Sequence, residues 1–204
     1  METILYIKEL EEPKINRKEI LRYAGVKGNA QPLDALLDEC LAESRGLFTY
    51  KVVYSEYPLR LDGDDVSLGF AFCKSERLAK GLASCESMIA FAATVGSHID
   101  RLIKRYAVLS PAKAQMLDAI GTERVESLCD AFCAFIEDEA AKRGCASLSR
   151  LSPGYSDIPL SMQKEIFSAL DCPRKVGISL GENLLMTPHK SVTAFIGILK
   201  KEGP

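Results

Sequence analysis

Pro111 opens the longest helical pattern in the chain, about residues 113 to 143, where Met116, Ile120, Val125, Leu128, Phe132 and Ile136 recur at threes, fours and one five. A proline suits the first turn of a helix, because its fixed φ fits and its missing N–H would have had no partner there. The pattern predicts one long central helix, a spine against which the other elements pack. Upstream, an N-terminal segment (1–14) begins extended, from Ile4 to Ile7. Asn16 then offers an N-cap for a helix from Lys18 to Tyr23, ended by Gly25 and a loop at Gly28-Asn29. Pro32 near a first helical position starts a second helix, Leu33 to Ser44, with Leu33, Leu36, Leu37, Cys40 and Leu41 on one face.

From Phe48 the period changes to two: Phe48, Tyr50, Val52 and Tyr54 alternate with Thr49, Lys51 and Ser55, as in a half-buried strand. Leu61 to Asp65 carries turn residues around Gly63, and Val66 to Phe72 is expected to return as the second strand of a hairpin. Ser75 caps a short helix through Leu82, Met88 to Val95 reads as a strand buried on both faces, and Gly96-Ser97 precedes a helix over 98–106. Past Gly144 the pattern predicts a strand from Ala146 to Leu151, a loop from Ser152 to Pro159, a helix near Leu160 to Leu170, and strands at Val176–Leu180 and Val192–Leu199. No repeat or linker composition interrupts the chain. The expectation is an α+β fold in a single domain, 1–204, with a mixed or antiparallel sheet and helices packed against it.

Charge and motifs narrow the function. A formal net charge of -2 and a pI near 5.8 give no global attraction to nucleic acid or to anionic membranes. The longest nearly apolar run, Ser87 to Gly96, is about half of the ~20 residues a spanning helix needs. Met1 to Glu12 lacks the pattern of a signal peptide, and the seven cysteines are odd in number and scattered, so a cytoplasmic protein with reduced thiols is expected. The common phosphate, dinucleotide, metalloprotease and esterase motifs are missing. The two histidines, His98 and His189, have no partner at a metal-ligand offset, so no metal site and no self-contained catalytic residue is expected. Cys129 and Cys133 share a face of the long helix, as a redox pair or as small apolar groups in a packed seam; their neighbours Leu128, Phe132 and Ile136 favour the seam.

The richest chemistry lies in Arg150-Leu151-Ser152-Pro153-Gly154-Tyr155-Ser156-Asp157-Ile158-Pro159. Arg150 offers a planar fork for a carboxylate, and Pro153 stiffens the loop. Gly154 allows close backbone approach, and Tyr155 carries a flat ring with a hydroxyl. The plainer alternative is a rigid turn with Arg150 paired to an acid and Tyr155 packed.

This stretch, with Pro159-Leu160-Ser161-Met162-Gln163-Lys164-Glu165 and the segment Val176 to Val192 containing Leu185-Met186-Thr187-Pro188-His189-Lys190-Ser191-Val192, resembles the activation domain of cobalamin-dependent methionine synthase. It is most similar to stand-alone members of that family. Weaker likeness continues through Phe91 to Gly96, Asp100 to Ile103 and Leu128-Cys129-Asp130, extending the resemblance over about 15–199.

The resemblance implies binding of S-adenosylmethionine. Arg150 would hold the methionine carboxylate, Ser152 and Gly154 would use backbone groups around the ligand, Tyr155 would line the pocket, and Asp130 would supply negative charge facing the ligand's ammonium and sulfonium. A solvated helix face is the other reading of Asp130. Glu182 matches a recurrent family glutamate whose plainer role is loop structuring. The Pro-x-Cys-Pro run that follows Pro-Gly-Tyr in full-length enzymes is missing, as are their aromatic-rich acidic opening and late pocket-closing tyrosine. The Asp-x-His-x-x-Gly cobalamin motif is missing too, so a corrinoid would arrive only on a partner protein. In the family, an inactive cobalt(II) cofactor is restored by one electron, from a flavodoxin-type or other reductant, and a methyl group from S-adenosylmethionine. The resemblance thus implies an accessory protein acting in trans on a methionine synthase or related corrinoid methyltransferase; the alternative is a non-catalytic S-adenosylmethionine sensor or scaffold.

Overall fold

The computed structural model describes residues 4–26 and 33–199. The expected loop at Gly28-Asn29 and the helix start at Pro32 lie outside the described residues. In chain order the elements are β1 (Tyr6–Glu9), α1 (Arg17–Tyr23), α2 (Asp34–Ser44), β2 (Lys51–Pro58), β3 (Arg60–Asp62), β4 (Asp65–Ser67), β5 (Phe72–Lys74), α3 (Glu76–Leu82), β6 (Cys85–Thr94), α4 (His98–Leu109), α5 (Pro111–Lys142), α6 (Met162–Leu170), α7 (Cys172–Val176), β7 (Ser179–Leu180), β8 (Met186–Thr187) and β9 (Ser191–Leu199). The fold is α+β. Its main sheet runs β1-β2-β6-β9, every pair antiparallel, with Tyr54 opposite Phe91 and Phe91 opposite Ala194.

That sheet is covered on both faces. Val53, Tyr57, Met88, Ala90, Ala92 and Phe195 pack toward α3, α6 and α7, while Val52, Ile89, Phe91, Ala93, Ala194 and Ile196 pack toward α5. This is why Met88 to Val95 is apolar at successive positions. Helix α5 joins two cores: Met116, Leu117, Ala119 and Ile120 pack among α1, α2 and α4, and Val125, Leu128, Cys129, Phe132, Ile136 and Ala140 pack on the sheet. Every apolar position singled out on the long helix is buried.

Local signals place several boundaries. The Asn16 side chain accepts from the Glu19 N–H at 3.3 Å, and the Ser75 hydroxyl oxygen accepts from the Leu78 N–H at 3.0 Å, so both expected caps operate.

Three expectations need correction. The long strand at Val52 and Tyr54 pairs with β1 and β6 and not with the Val66 segment. The turn around Gly63 instead joins β3 and β4 in a separate three-stranded sheet, and the chain turns again at Gly69 (φ +79°) before β5. Ala146 to Leu151 is not a continuous strand. It touches β9 at Ser147–Ile198 and Leu151–Phe195, and the three steps from Leu148 to Leu151 match two from Gly197 to Phe195, so an extra residue breaks the ladder. Val176 to Leu180 is not a strand either. Pro173 in the first turn favours helix α7, which ends at Gly177 (φ +72°), leaving a two-residue strand.

Candidate functional site

The interrupted pairing after Gly144 creates the site. β9 is the outer strand of the main sheet, and Leu151 closes a double hydrogen bond with Phe195, its N–H donating to the Phe195 carbonyl at 2.9 Å and its carbonyl accepting at 2.7 Å. Beyond Leu151 the chain leaves the strand edge. The cavity that opens, of about 470 Å³, lies between the loop 150–158, α5 at Glu126, α6 at Gln163, β8 at Met186 and the start of β9 at Ser191 to Thr193.

The loop is fastened from inside and outside. The Gly154 N–H donates to the Ile158 carbonyl at 2.9 Å, and Ile158 is buried in the core. Gly154 has φ +87°, and a Cβ there would stand 3.0 Å from Leu160 Cδ1, so this position favours glycine for its own turn. The Asp157 carboxylate accepts from the Glu76 N–H at 2.7 Å and from the Ser75 hydroxyl at 2.7 Å, capping α3 from a distant part of the chain.

Arg150 reaches from the loop to α5. Its guanidinium donates to Glu126 Oε2 at 2.5 Å and to Asp130 Oδ1 at 2.6 Å. Burial works against the charge, but the carboxylates of Asp130 and Glu126 around it outweigh that effect and hold the arginine above its ordinary pKa. Glu126 and Arg150 border this cavity on one side and, on the other, a cleft of about 200 Å³ that also takes in Glu19, Glu123, Ser127 and Asp130.

The structure brings Arg150, Ser152 and Tyr155 together on the 470 Å³ cavity. Tyr155 is 73% exposed and stands at the rim rather than packed. Gly154 does not line the cavity, and its N–H already has a partner. Asp130 lies outside the cavity, its side chain 75% exposed, and is joined to it only through Arg150. Glu182 is exposed in the turn between β7 and β8.

Among the polar lining residues outside the expected site set are Glu126, Gln163 and Thr193. Glu126 stands four residues before Asp130 and so shares its helix face, a signal present in the sequence. Gln163 stands in the family-like stretch Pro159 to Glu165 without a ligand role attached to it, and Thr193 carries no mark. Their Oε1 and Oγ1 are buried and have no hydrogen-bond partner.

Cys129 is buried in the seam between α5 and the sheet, and Cys133 is half-buried beside it. Burial pushes the Cys129 thiol far up and raises Cys133 as well, the reverse of a reactive thiolate. Among the described residues, no three His, Cys, Asp or Glu side chains gather as metal ligands, and no helix is long and apolar enough to cross a membrane.

Comparison with known proteins bears on the fold and the family. A crystal structure of the MetH reactivation domain bound to AdoHcy superposes with a TM-score of 0.68 at 15% identity, covering 98% of this chain and 79% of that one. No curated protein matches the sequence. Residues 59–201, which include the loop from Arg150 to Pro159 and every element that walls the cavity, match the family described as the activation domain of vitamin B12-dependent methionine synthase, and the chain belongs to that family.

Proposed function

We propose that this chain, folded as one domain, binds S-adenosylmethionine in the cavity beside Arg150 and serves in trans the reductive methylation of a cobalamin carried by a methionine synthase or related corrinoid methyltransferase. One observation carries the reading: a single cavity joins an arginine–carboxylate pair, an exposed tyrosine at its rim and apolar walls. S-adenosylmethionine presents the complementary groups, an amino-acid zwitterion with a sulfonium at one end and a nucleoside at the other. Family membership and a structural neighbour that holds AdoHcy support the same ligand.

In this reading the ligand carboxylate takes the Arg150 guanidinium in exchange for its partners on α5. Glu126, released, faces the ligand's ammonium and sulfonium, where a counter-charge is favourable in a partly dry cleft. The bound ligand supplies an electrophilic methyl group on sulfur. The protein's part is to orient that methyl and to keep water from the pocket walls, and a loop tied at Ile158 and Asp157 suits this because it is ordered before binding. No lining residue needs to act as acid, base or nucleophile. The corrinoid, and a flavodoxin-type or other one-electron reductant, belong to partner proteins.

Isothermal titration calorimetry with S-adenosylmethionine, and S-adenosylhomocysteine as comparator, tests the reading. Saturable binding at micromolar concentration is expected; no heat up to millimolar concentration overturns it. A second reading, a sensor or scaffold that methylates nothing, is favoured by the fact that Arg150 and the Gly154 N–H already have protein partners. Transfer of a labelled methyl group to a corrinoid protein separates the two.

A further inference from the structure

β1 stands at the open edge of the main sheet. It pairs with β2, and among the described residues no strand lies on its other side. One step beyond the Glu9–Lys51 pair, the Leu10 N–H donates to the Tyr50 carbonyl at 2.9 Å. Successive residues of an antiparallel strand turn their backbone groups to opposite sides, so Tyr6, Lys8 and Leu10 bond toward β2, and the N–H and C=O groups of Leu5, Ile7 and Glu9 point away from the sheet. Apolar side chains flank this bare edge: Ile4, Tyr6 and Ile7 are 64%, 46% and 51% exposed. Unanswered backbone groups beside exposed apolar side chains form a template for another strand.

We propose that β1 pairs with β1 of a second copy, antiparallel about a two-fold axis at Ile7, so that two four-stranded sheets become one. The strand is complementary to itself about that residue. Ile7 meets Ile7, Ile4 meets Leu10, and Lys8 meets Tyr6, a cation against an aromatic ring. Tyr6 and Lys8 are held ready for this on the face turned to α5, the tyrosine stacked on Tyr54 with centroids 5.3 Å apart and the ammonium 4.3 Å from the centre of the Phe135 ring. The remaining pair sets Leu5 against Glu9, whose carboxylate Lys51 already holds at 3.0 Å. No like charges stand opposite each other in this register, whereas moving the axis to Lys8 would oppose the two lysines. The same axis brings the outward backbone groups into bonding pairs, Ile7 with Ile7 and Leu5 with Glu9. The cavity beside Arg150 lies against β9, the opposite edge of the sheet, so the pairing leaves it open in both copies.

Sedimentation velocity and amide hydrogen exchange on the whole chain test this. The expected species has twice the chain mass of 22.4 kDa and dissociates on dilution through the micromolar range, because a single strand pair is a small interface. The amides of Leu5, Ile7 and Glu9 should exchange about ten-fold more slowly in concentrated than in dilute solution, since only a partner strand can bond them. Ile7→Pro removes an N–H that no bond within the chain uses, a place where an edge strand accepts proline, and is expected to give a monomer with the wild-type circular dichroism spectrum. Ile7→Lys sets two cations together on the axis and is expected to do the same. A wild-type protein that stays monomeric up to about 100 μM overturns the proposal and leaves the edge to an extended segment of a different protein. A dimer that survives both substitutions, or one in which those three amides exchange as fast as in the monomer, is joined elsewhere and overturns it as well. The exchange measurement requires no substitution, so it decides even where a variant misfolds.

Discussion

Two arginines meet carboxylates of the same helix one turn apart, and they are built differently. Arg124 and Glu123 are 1% and 2% exposed, and the guanidinium also donates to the Pro13 carbonyl at 2.6 Å and the Lys14 carbonyl at 2.9 Å. Glu123 answers in kind, accepting from the Asn16 N–H and the Ser127 hydroxyl, each at 2.9 Å. Arg150 is 23% exposed, and its carboxylates on Glu126 and Asp130 are 37% and 75% exposed. The first pair is a closed network that fastens the N-terminal segment and α1 to α5. The second is partly solvated, and water can take over either of its partners at small cost. A saturated, dry ion pair holds a fold together, whereas a half-wet pair can exchange its partner for a ligand.

The largest expected effect tests the closed end of that contrast. Arg124→Leu leaves Glu123 charged and dry without its cation, and breaking a buried pair in this way costs about 3–5 kcal/mol. Urea denaturation should show a loss of that size, and a loss under about 1 kcal/mol would remove the distinction between the two arginines. Arg150→Ala tests the other end. Its pairs are partly solvated, so the folded state should lose about 1 kcal/mol or less. Affinity for S-adenosylmethionine should fall by about 1.5–3 kcal/mol, because the hydrogen bonds lost are to a charged group. Unchanged affinity with a large stability loss would make Arg150 a fastening like Arg124.

The same contrast explains what was legible in the sequence. Arg124 and Arg150 look alike there, since burial of a charge depends on which distant segments close over it. Helix α5 was readable because periodicity and Pro111 are local signals, and the caps at Asn16 and Ser75 were readable for the same reason. The residues from Ala146 to Leu151 suit a strand. Its break depends on register with β9, across about fifty residues of sequence, and no local pattern records that. Arg150, Ser152 and Tyr155 came from composition and resemblance and do meet at one cavity. Gly154 offers the backbone freedom that its φ of +87° uses, but its close neighbour is Leu160 and the partner of its N–H is Ile158. Gln163 is legible as a position of the family-like stretch Pro159 to Glu165, but that its oxygen is buried without a partner is a property of the folded surroundings.

The smallest expected effect sharpens the comparison from a third point. Asp157 is exposed, as the carboxylates of Arg150 are, yet it fastens rather than exchanges, because its partners are the backbone N–H groups and the Ser75 hydroxyl at the start of α3. The Ser75 hydroxyl, followed by the backbone N–H groups, holds its carboxyl below the usual aspartate range. A carboxyl depressed in the folded state contributes stability that is complete above its unfolded value, ~3.9, and is lost as pH falls through the folded value. The melting temperature of Asp157→Asn should therefore lie below that of the wild type by a constant amount from neutral pH down to about pH 5, and the gap should close as the pH drops below ~4. S-adenosylmethionine affinity should fall slightly in the same variant, because the cap positions the loop without touching the cavity. A gap that persists unchanged in acid would mean that the amide fails for reasons of shape rather than charge, and that the loop owes its order to Ile158 alone.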